Sequence, residues 1–414
     1  MTAIDLEWVR PQFPALARTQ GGKPVVFFDG PAGSQVPRRV IEAVADTLAH
    51  HNANTHGEFS TSREVDTMLA AARSAAADLV GAADASEIVF GPNATSLAFA
   101  LSRSMSRTWR RGDRIVVTQL DHDANVTPWA LAARDAGAEV VTVPIRRDTT
   151  LDLEAMAAAL APGARLVAVT AASNATGTRT PVAHIAGLAR AAGAELVVDA
   201  VHYAPHDRID VAAWGCDWLL ASAYKFFGPH VGLLWGSHAR LAALEPYKVR
   251  PASDDVPDRW MTGTANHEGI AGVAAAIDYL GELGRRTALA GAARSTALSS
   301  AYRAIVAHEA ALCEQLLVGL ARLPAVTVWG IADRARLAER VPTVSITHAR
   351  IGPRALATHL AERGVYVWHG NYYALELSRA LGREPDGMVR IGCLHYNTPA
   401  EVDRLLGLIA EIGD

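Results

Sequence analysis

The sequence predicts an α/β fold: a large domain with a mainly parallel sheet flanked by helices, then a smaller α+β C-terminal domain. Three observations carry this reading. Between residues 86 and 225, short runs rich in Val, Ile and Leu alternate with Ala- and Leu-rich stretches at helical spacing, as in a sheet covered on both faces. Polar residues gather directly after those apolar runs, where ligands of open α/β sheets bind. Towards the end the pattern changes to a long helical stretch followed by TVWG, TVSITH and VYVWHGNYY. The expected division is an N-terminal arm over 1–20 joining the small domain, a large domain over 21–289 and a small domain over 290–414.

Taken in order, the arm carries a short helix, and PVVFFDG is a strand leading into the loop PAGSQVP. Amphipathic spacing predicts a helix over 38–51, and after the polar loop HNANTHGEFSTS an Ala-rich helix packed against the sheet is expected over 64–80. SEIVFGPNATS is a strand, a Gly-Pro turn and a helix start that includes Thr95 and Ser96. DRIVVTQLDHDANVTPW is a strand and loop before a helix over 130–136, AEVVTVPI a strand and LDLEAMAAALA a helix. ARLVAVTAASNATGT is a strand ending in a polar loop, and PVAHIAGLARAAGA is a helix with Pro181 near its start. AELVVDAVHYAPH and CDWLLASAYK are strands that end on Asp199 and His202, and on Ser222 and Lys225.

Bulk properties narrow the function. A formal charge of −4 over 414 residues gives no footprint for nucleic acid. The N-terminus is acidic early and lacks an apolar core, so no signal peptide is expected, and no apolar run reaches membrane-span length. Three scattered cysteines without a CxxC suggest a reducing, cytoplasmic setting. There is no GxxxxGK[ST], no strand-linked GxGxxG, no HExxH and no GxSxG, so nucleotide, metal and serine-hydrolase readings lack support.

The strand-end residues suggest a different chemistry. LLASAYKFFGPHVG delivers Lys225 among apolar residues, where burying an ammonium is costly unless the amine has a partner or a covalent task. Pyridoxal 5'-phosphate needs a lysine for its aldehyde, an acid at its pyridine nitrogen, donors for its phosphate and a flat group on its ring. Lys225 and Asp199 supply the first two. Thr95, with the amides of its helix start, forms an anion cup; Ser222 adds a hydroxyl and His122 a stacking ring. Singly, these would be a snorkelling lysine, a turn aspartate, a capping threonine and a surface histidine.

The motifs FFDGPAGSQVP, SEIVFGPNATS, LDHDANVTPW, ASNATGT, LVVDAVHYAPH, SAYKFFGPHVG, TGTANHEGIAG and MVRIGCLHYNTPAEVD together resemble the class V aminotransferase family of fold-type I pyridoxal-phosphate enzymes, in its cysteine desulfurase and selenocysteine lyase branch. The resemblance makes Lys225 the Schiff-base lysine, Asp199 the partner of the pyridine nitrogen and His122 the stacking, proton-shuttling histidine. It places Asn174 near the cofactor's phenolic oxygen, with His202 where desulfurases commonly have glutamine. Ala94, Thr95 and Ser222 match phosphate-binding positions, Ala94 through its backbone amide alone, and Tyr224 replaces a histidine there. Thr264 matches a threonine reaching the phosphate of the other subunit, implying a homodimer with shared sites. Arg390 matches the clamp on the substrate carboxylate, and Asn371 falls in the substrate loop.

That loop departs from the family pattern. Where desulfurases carry Arg-Thr-Gly-His-His-Cys, this chain has Trp368 to Tyr373, with Tyr373 at the cysteine position, and Phe59 replaces a substrate-side histidine. A phenol cannot carry a persulfide. The expected activity is therefore a C–S or other β-substituent lyase on a small amino acid, bound through its own Schiff base and turned over without a catalytic cysteine. Aminotransferase and epimerase outcomes on the same fold stay open, as does a non-catalytic protein that only binds the cofactor.

Overall fold

Leu166 and Ala168 face one apolar core while Val167 and Val169, between and beyond them, face another. The same alternation recurs in Ile115/Val116/Val117 and Leu219/Leu220/Ala221, so a period-two pattern buries both faces of one sheet. The computed structural model describes residues 4–287 and 291–413. Among them, the large sheet contains β1 (Ile88–Gly91), β2 (Arg114–Thr118), β3 (Glu139–Val143), β4 (Leu166–Thr170), β5 (Glu195–Asp199), β6 (Trp218–Ser222) and β7 (Gly232–Gly236). Their order is β1-β7-β6-β5-β4-β2-β3. All neighbours are parallel except β7, which runs against β1 and β6.

The sequence reading did not separate β7 from the loop before it. GLLWG is wholly buried, and its apolar character merges with FFGPHVG. Its register brings Gly232 opposite both Gly91 and Ser222. A Cβ at Gly232 would stand 2.4 Å from the Asn93 carbonyl carbon. A side chain there would displace the start of the 94–105 helix.

A second, antiparallel sheet holds β8 (Val326–Trp329), β9 (Thr343–His348), β10 (Trp368–Gly370) and β11 (Met388–Gly392), in the order β8-β9-β11-β10. VYVWHGNYY is not one strand: Val365–Tyr366 pairs in parallel with Val26–Phe27, and Trp368–Gly370 pairs with β11. PVVFFDG thus lies beside the small sheet, and Val26 and Phe28 join its core.

The N-terminal arm makes contacts on both sides. Arg10 pairs with Glu401, whereas Phe13 meets Phe227, Tyr279, His395 and Tyr396 edge-on and Val9 lies in the large core. The expected boundary at 289/290 lies outside the described residues. The helix Arg294–Leu320 runs from one core to the other, with Leu298 to Ile305 in the large core and Leu312 to Leu320 in the small one.

Candidate active site

Five strand ends meet at one cavity of about 550 Å³, closed from the other side by β10 and β11. Eleven of the twelve residues expected to hold cofactor or substrate line it: Ala94, Thr95, His122, Asn174, Asp199, His202, Ser222, Tyr224, Lys225, Asn371 and Arg390. Thr264 does not; it is exposed outside the cavity of its own chain. Phe59, at the start of the 60–80 helix, also stays outside it and largely exposed.

Lys225 sits one turn beyond β6 and is 8% exposed. Its Nζ donates to the Pro31 carbonyl and lies 4.8 Å from the centre of the Tyr224 ring. Burial pulls its ammonium down to about 7, helped by the Arg390 charge and opposed by Asp199 and Asp29. Asp199 ends β5, where Val201 N–H donates to its Oδ1 at 2.8 Å. Burial lifts its carboxyl to about 6 against that hydrogen bond and the Lys225 charge. Near neutral pH Asp199 is therefore ionised, while a substantial share of Lys225 is free amine.

His122 follows β2 on a loop fixed from below. Buried Asp121 accepts from Thr118 Oγ1 and from Asn125 Nδ2, and Trp129 Nε1 donates to Asn125 Oδ1 at 3.1 Å. Burial, then the Lys225 and Arg390 charges, hold the His122 imidazole down to about 4. Its Nδ1 accepts the Ala124 N–H at 3.0 Å, so the neutral ring carries its proton on Nε2. Tyr373 stacks on one face of that ring.

At the start of the 94–105 helix, Asn93 Oδ1 caps the Ser96 N–H at 2.8 Å. The Ala94 amide, expected to face the phosphate, instead donates to Ser222 Oγ at 3.1 Å. Ser222 accepts there and keeps its own O–H to give. The Thr95 N–H has no protein acceptor among the described residues. Tyr224 stacks with His230, centroids 5.1 Å apart.

Arg390, on β11, is buried opposite Trp368. Its guanidinium lies 4.2 Å from the centre of the Tyr372 ring, and Nη1 donates to Asn174 O at 2.9 Å. Asn174 Nδ2 donates to Tyr372 O at 2.9 Å. Asn371 is engaged at both ends of its amide, giving to Glu384 and accepting from Tyr373 N–H.

Asp29 was missed in the sequence. Its carboxyl is raised to about 6, chiefly by burial, and it interacts with both Arg390 and Lys225. The only sequence signal was an acid directly after an apolar run.

The site suits a bound polar group. Among the residues lining it, Asn174 Oδ1, His202 Nδ1 and Arg390 Nε are buried side-chain atoms with no hydrogen-bond partner, each costly unless a ligand satisfies it. Among the described residues no cluster of His, Cys, Asp and Glu has the arrangement of a metal site.

The pattern of the family Aminotransferase class-V matches residues 26–405. The chain is 31% identical to a cysteine desulfurase of Yersinia pestis (strain Pestoides F), over 99% of this chain and 98% of that protein. It is 30% identical to a probable cysteine desulfurase of Vibrio cholerae, over 99% of each. An apo cysteine desulfurase structure from Thermococcus onnurineus NA1 superposes with a TM-score of 0.88 at 28% identity, over 100% of this chain and 98% of that one. The sheet order, with helices on both faces, is that of fold-type I. The chain belongs to the class V aminotransferase family, as a pyridoxal-phosphate-dependent enzyme of cysteine desulfurase-like type.

Proposed function

We infer that this enzyme is a β-lyase on an α-amino acid, cleaving a C–S or other β-substituent bond without a persulfide-forming cysteine. The observation that carries this reading is the position of the thiols. Cys216, Cys313 and Cys393 are all buried, none lines the cavity, and burial raises each thiol, that of Cys216 to about 12. A sulfur acceptor must be an accessible thiolate. The loop that faces the cavity carries Tyr373 and is tied down by Asn174 and by the Asp123 N–H, which donates to Tyr373 O at 2.7 Å.

Bound pyridoxal phosphate supplies an electron sink for the pair left at the substrate Cα. Lys225 would hold its aldehyde carbon, Asp199 its pyridine N–H and His122 its ring face. Asn174 and His202 would serve its phenolic oxygen, and Thr95, Ser222 and Tyr224 its phosphate. Arg390 offers the substrate carboxylate a planar guanidinium, oriented by its stacking on Tyr372. The Lys225 amine, poised near 7, takes the proton from Cα and hands one back at the end of the cycle. The pair left at Cα would expel the β-substituent, which departs with a proton, and water would release the remaining enamine as pyruvate and ammonia.

Exposed Thr264 fits a homodimer in which each chain reaches the phosphate of the other. Three buried, unpaired cysteines fit a reducing cytoplasm. No helix among the described residues is long and apolar enough to cross a membrane. The test is a screen of α-amino acids for a change in the absorbance of the bound cofactor, followed by product identification. A β-lyase yields pyruvate. A keto acid that keeps its β-substituent would mean transamination, and a racemate epimerisation.

A further inference from the structure

The register of the small sheet ties the rim of the cavity to its interior. Trp368 on β10 lies directly opposite Arg390 on β11. Opposed residues of an antiparallel pair project from the same face of the sheet, with Cβ atoms about 5 Å apart. Both line the cavity, Arg390 4% exposed and Trp368 52%. A molecule whose carboxylate is held at Arg390 is thus within reach of the Trp368 indole. That indole has no hydrogen-bond or ring partner among the described residues. Tyr373 is a second large, exposed aromatic side chain lining the cavity. Its left-handed backbone and the bond from the Asp123 N–H to its carbonyl set where the ring stands. Exposed rings gathered at one opening mark a surface that a ligand covers.

The remaining lining residues decide what that ligand carries. Among the described residues lining the cavity, Asp199, Lys225 and Arg390 are the only Asp, Glu, Lys or Arg side chains. In the β-lyase reading each of them serves the cofactor or the substrate carboxylate. An ionised β-substituent would lose water there without gaining a counter-charge. The Asn371 amide is spent on Glu384 and the Tyr373 N–H. No Leu, Ile or Met lines the cavity, so a branched aliphatic group has no matching pocket. What is left is flat aromatic surface, and a ring pairs with it best.

We propose that Trp368 and Tyr373 are specificity-determining residues that select a β-substituent ending in an uncharged aromatic ring, as in an S-aryl cysteine. The proposal rests on the β-lyase reading and names its substrate class. Loss of the Cα proton and rupture of the Cβ–S bond release the arenethiolate with the bonding electron pair. The thiolate takes up a proton, and water converts the remainder to pyruvate and ammonia. No cysteine of the enzyme has to accept sulfur, because the sulfur departs with its ring.

The test measures pyruvate formation by holoenzyme from S-methyl-, S-cyclohexyl- and S-phenyl-L-cysteine. It compares the wild type with Trp368→Ala, Trp368→Phe and Tyr373→Ala, each checked for native circular dichroism and for its oligomeric state by size-exclusion chromatography. In the wild type, kcat/KM for the S-phenyl substrate should exceed that for S-methyl by about tenfold or more, with S-cyclohexyl between them. Each alanine variant should shrink that ratio by about threefold to tenfold, while Trp368→Phe keeps most of it. A second readout needs no turnover. 4-Phenylbutanoate spaces carboxylate and ring by the same number of atoms as S-phenylcysteine but has no amine. Calorimetry should show it binding holoenzyme more tightly than butanoate does, with the advantage reduced in Trp368→Ala. A wild type that prefers S-methylcysteine, equal affinity for the two carboxylates, or an S-phenyl preference undiminished in both alanine variants overturns the proposal alone. So do variants that keep the preference but lose the oligomer, which would assign the rings to a subunit contact. Pyruvate from none of the three substrates sinks the β-lyase reading itself, and the proposal with it.

Discussion

Tyr373 lies on His122, ring centroids 5.5 Å apart and planes inclined by 28°. Tyr372 and Tyr373 both have left-handed backbones, φ 57° and 60°, which costs a non-glycine residue about 1 kcal/mol or more each. The loop sustains this because the carbonyls of both residues are held, one by Asn174 and one by the Asp123 N–H. The 368–373 segment thus acts as a fixed aromatic wall of the cavity. Tyr373 is 73% exposed and donates no side-chain hydrogen bond among the described residues. Its ring is what matters: Tyr373→Phe should stay within about twofold of wild type, and Tyr373→Ala should raise KM about threefold to tenfold through lost stacking. Steady-state kinetics on both variants checks this.

Lys225 gives a stability prediction with a definite sign. Its folded-state pKa, about 7, lies below its unfolded value. Its favourable contribution is therefore complete above the unfolded value near 10.5 and is lost as pH falls through about 7. Apoenzyme should gain stability between pH 7 and pH 10 from this group. Lys225→Met should flatten that slope and stabilise the apoenzyme at pH 6 by on the order of a few kcal/mol, while lowering turnover by about 10³-fold or more. Denaturant unfolding of both proteins at pH 6 and pH 9.5 measures the first effect.

Arg390 is buried and stacked on Tyr372. Arg390→Lys keeps the charge but loses the planar fork. KM for the amino acid should rise about tenfold to a hundredfold, with a smaller fall in kcat. The wild type should discriminate strongly against the amide of the same substrate, and the variant weakly. Equal discrimination by both would remove Arg390 from the carboxylate.

Asp121 tests the support beneath His122. Asp121→Ala leaves Thr118 Oγ1 and Asn125 Nδ2 buried without their acceptor. A loss of ~2 to 4 kcal/mol in unfolding free energy is expected. The KM of the folded fraction should change with it, because the loop then carries His122 less rigidly.

The sequence made the strand-end residues legible because period-two apolar runs announce where each strand stops. Lys225, Asp199, His122 and Asn174 fall directly after such runs, and the structure gathers them at one cavity. Interactions that depend on distant pairing were not legible. The link of Asp29 to Arg390, the spending of the Ala94 amide on Ser222 and the contact of His206 with Glu309 each join segments more than a hundred residues apart. β7 was hidden for a local reason, since its apolar run is continuous with the loop before it. The split of VYVWHGNYY between two sheets reflects pairing with Val26–Phe27, which no local pattern marks.

The most direct test of the central claim is product formation from cysteine and other β-substituted amino acids before and after iodoacetamide treatment, with mass spectrometry locating any alkylated residue. The account predicts pyruvate at a rate unchanged within about twofold by alkylation, since the three cysteines are buried away from the cavity. Rapid sulfide release from cysteine that is abolished by alkylating a single thiol would contradict it.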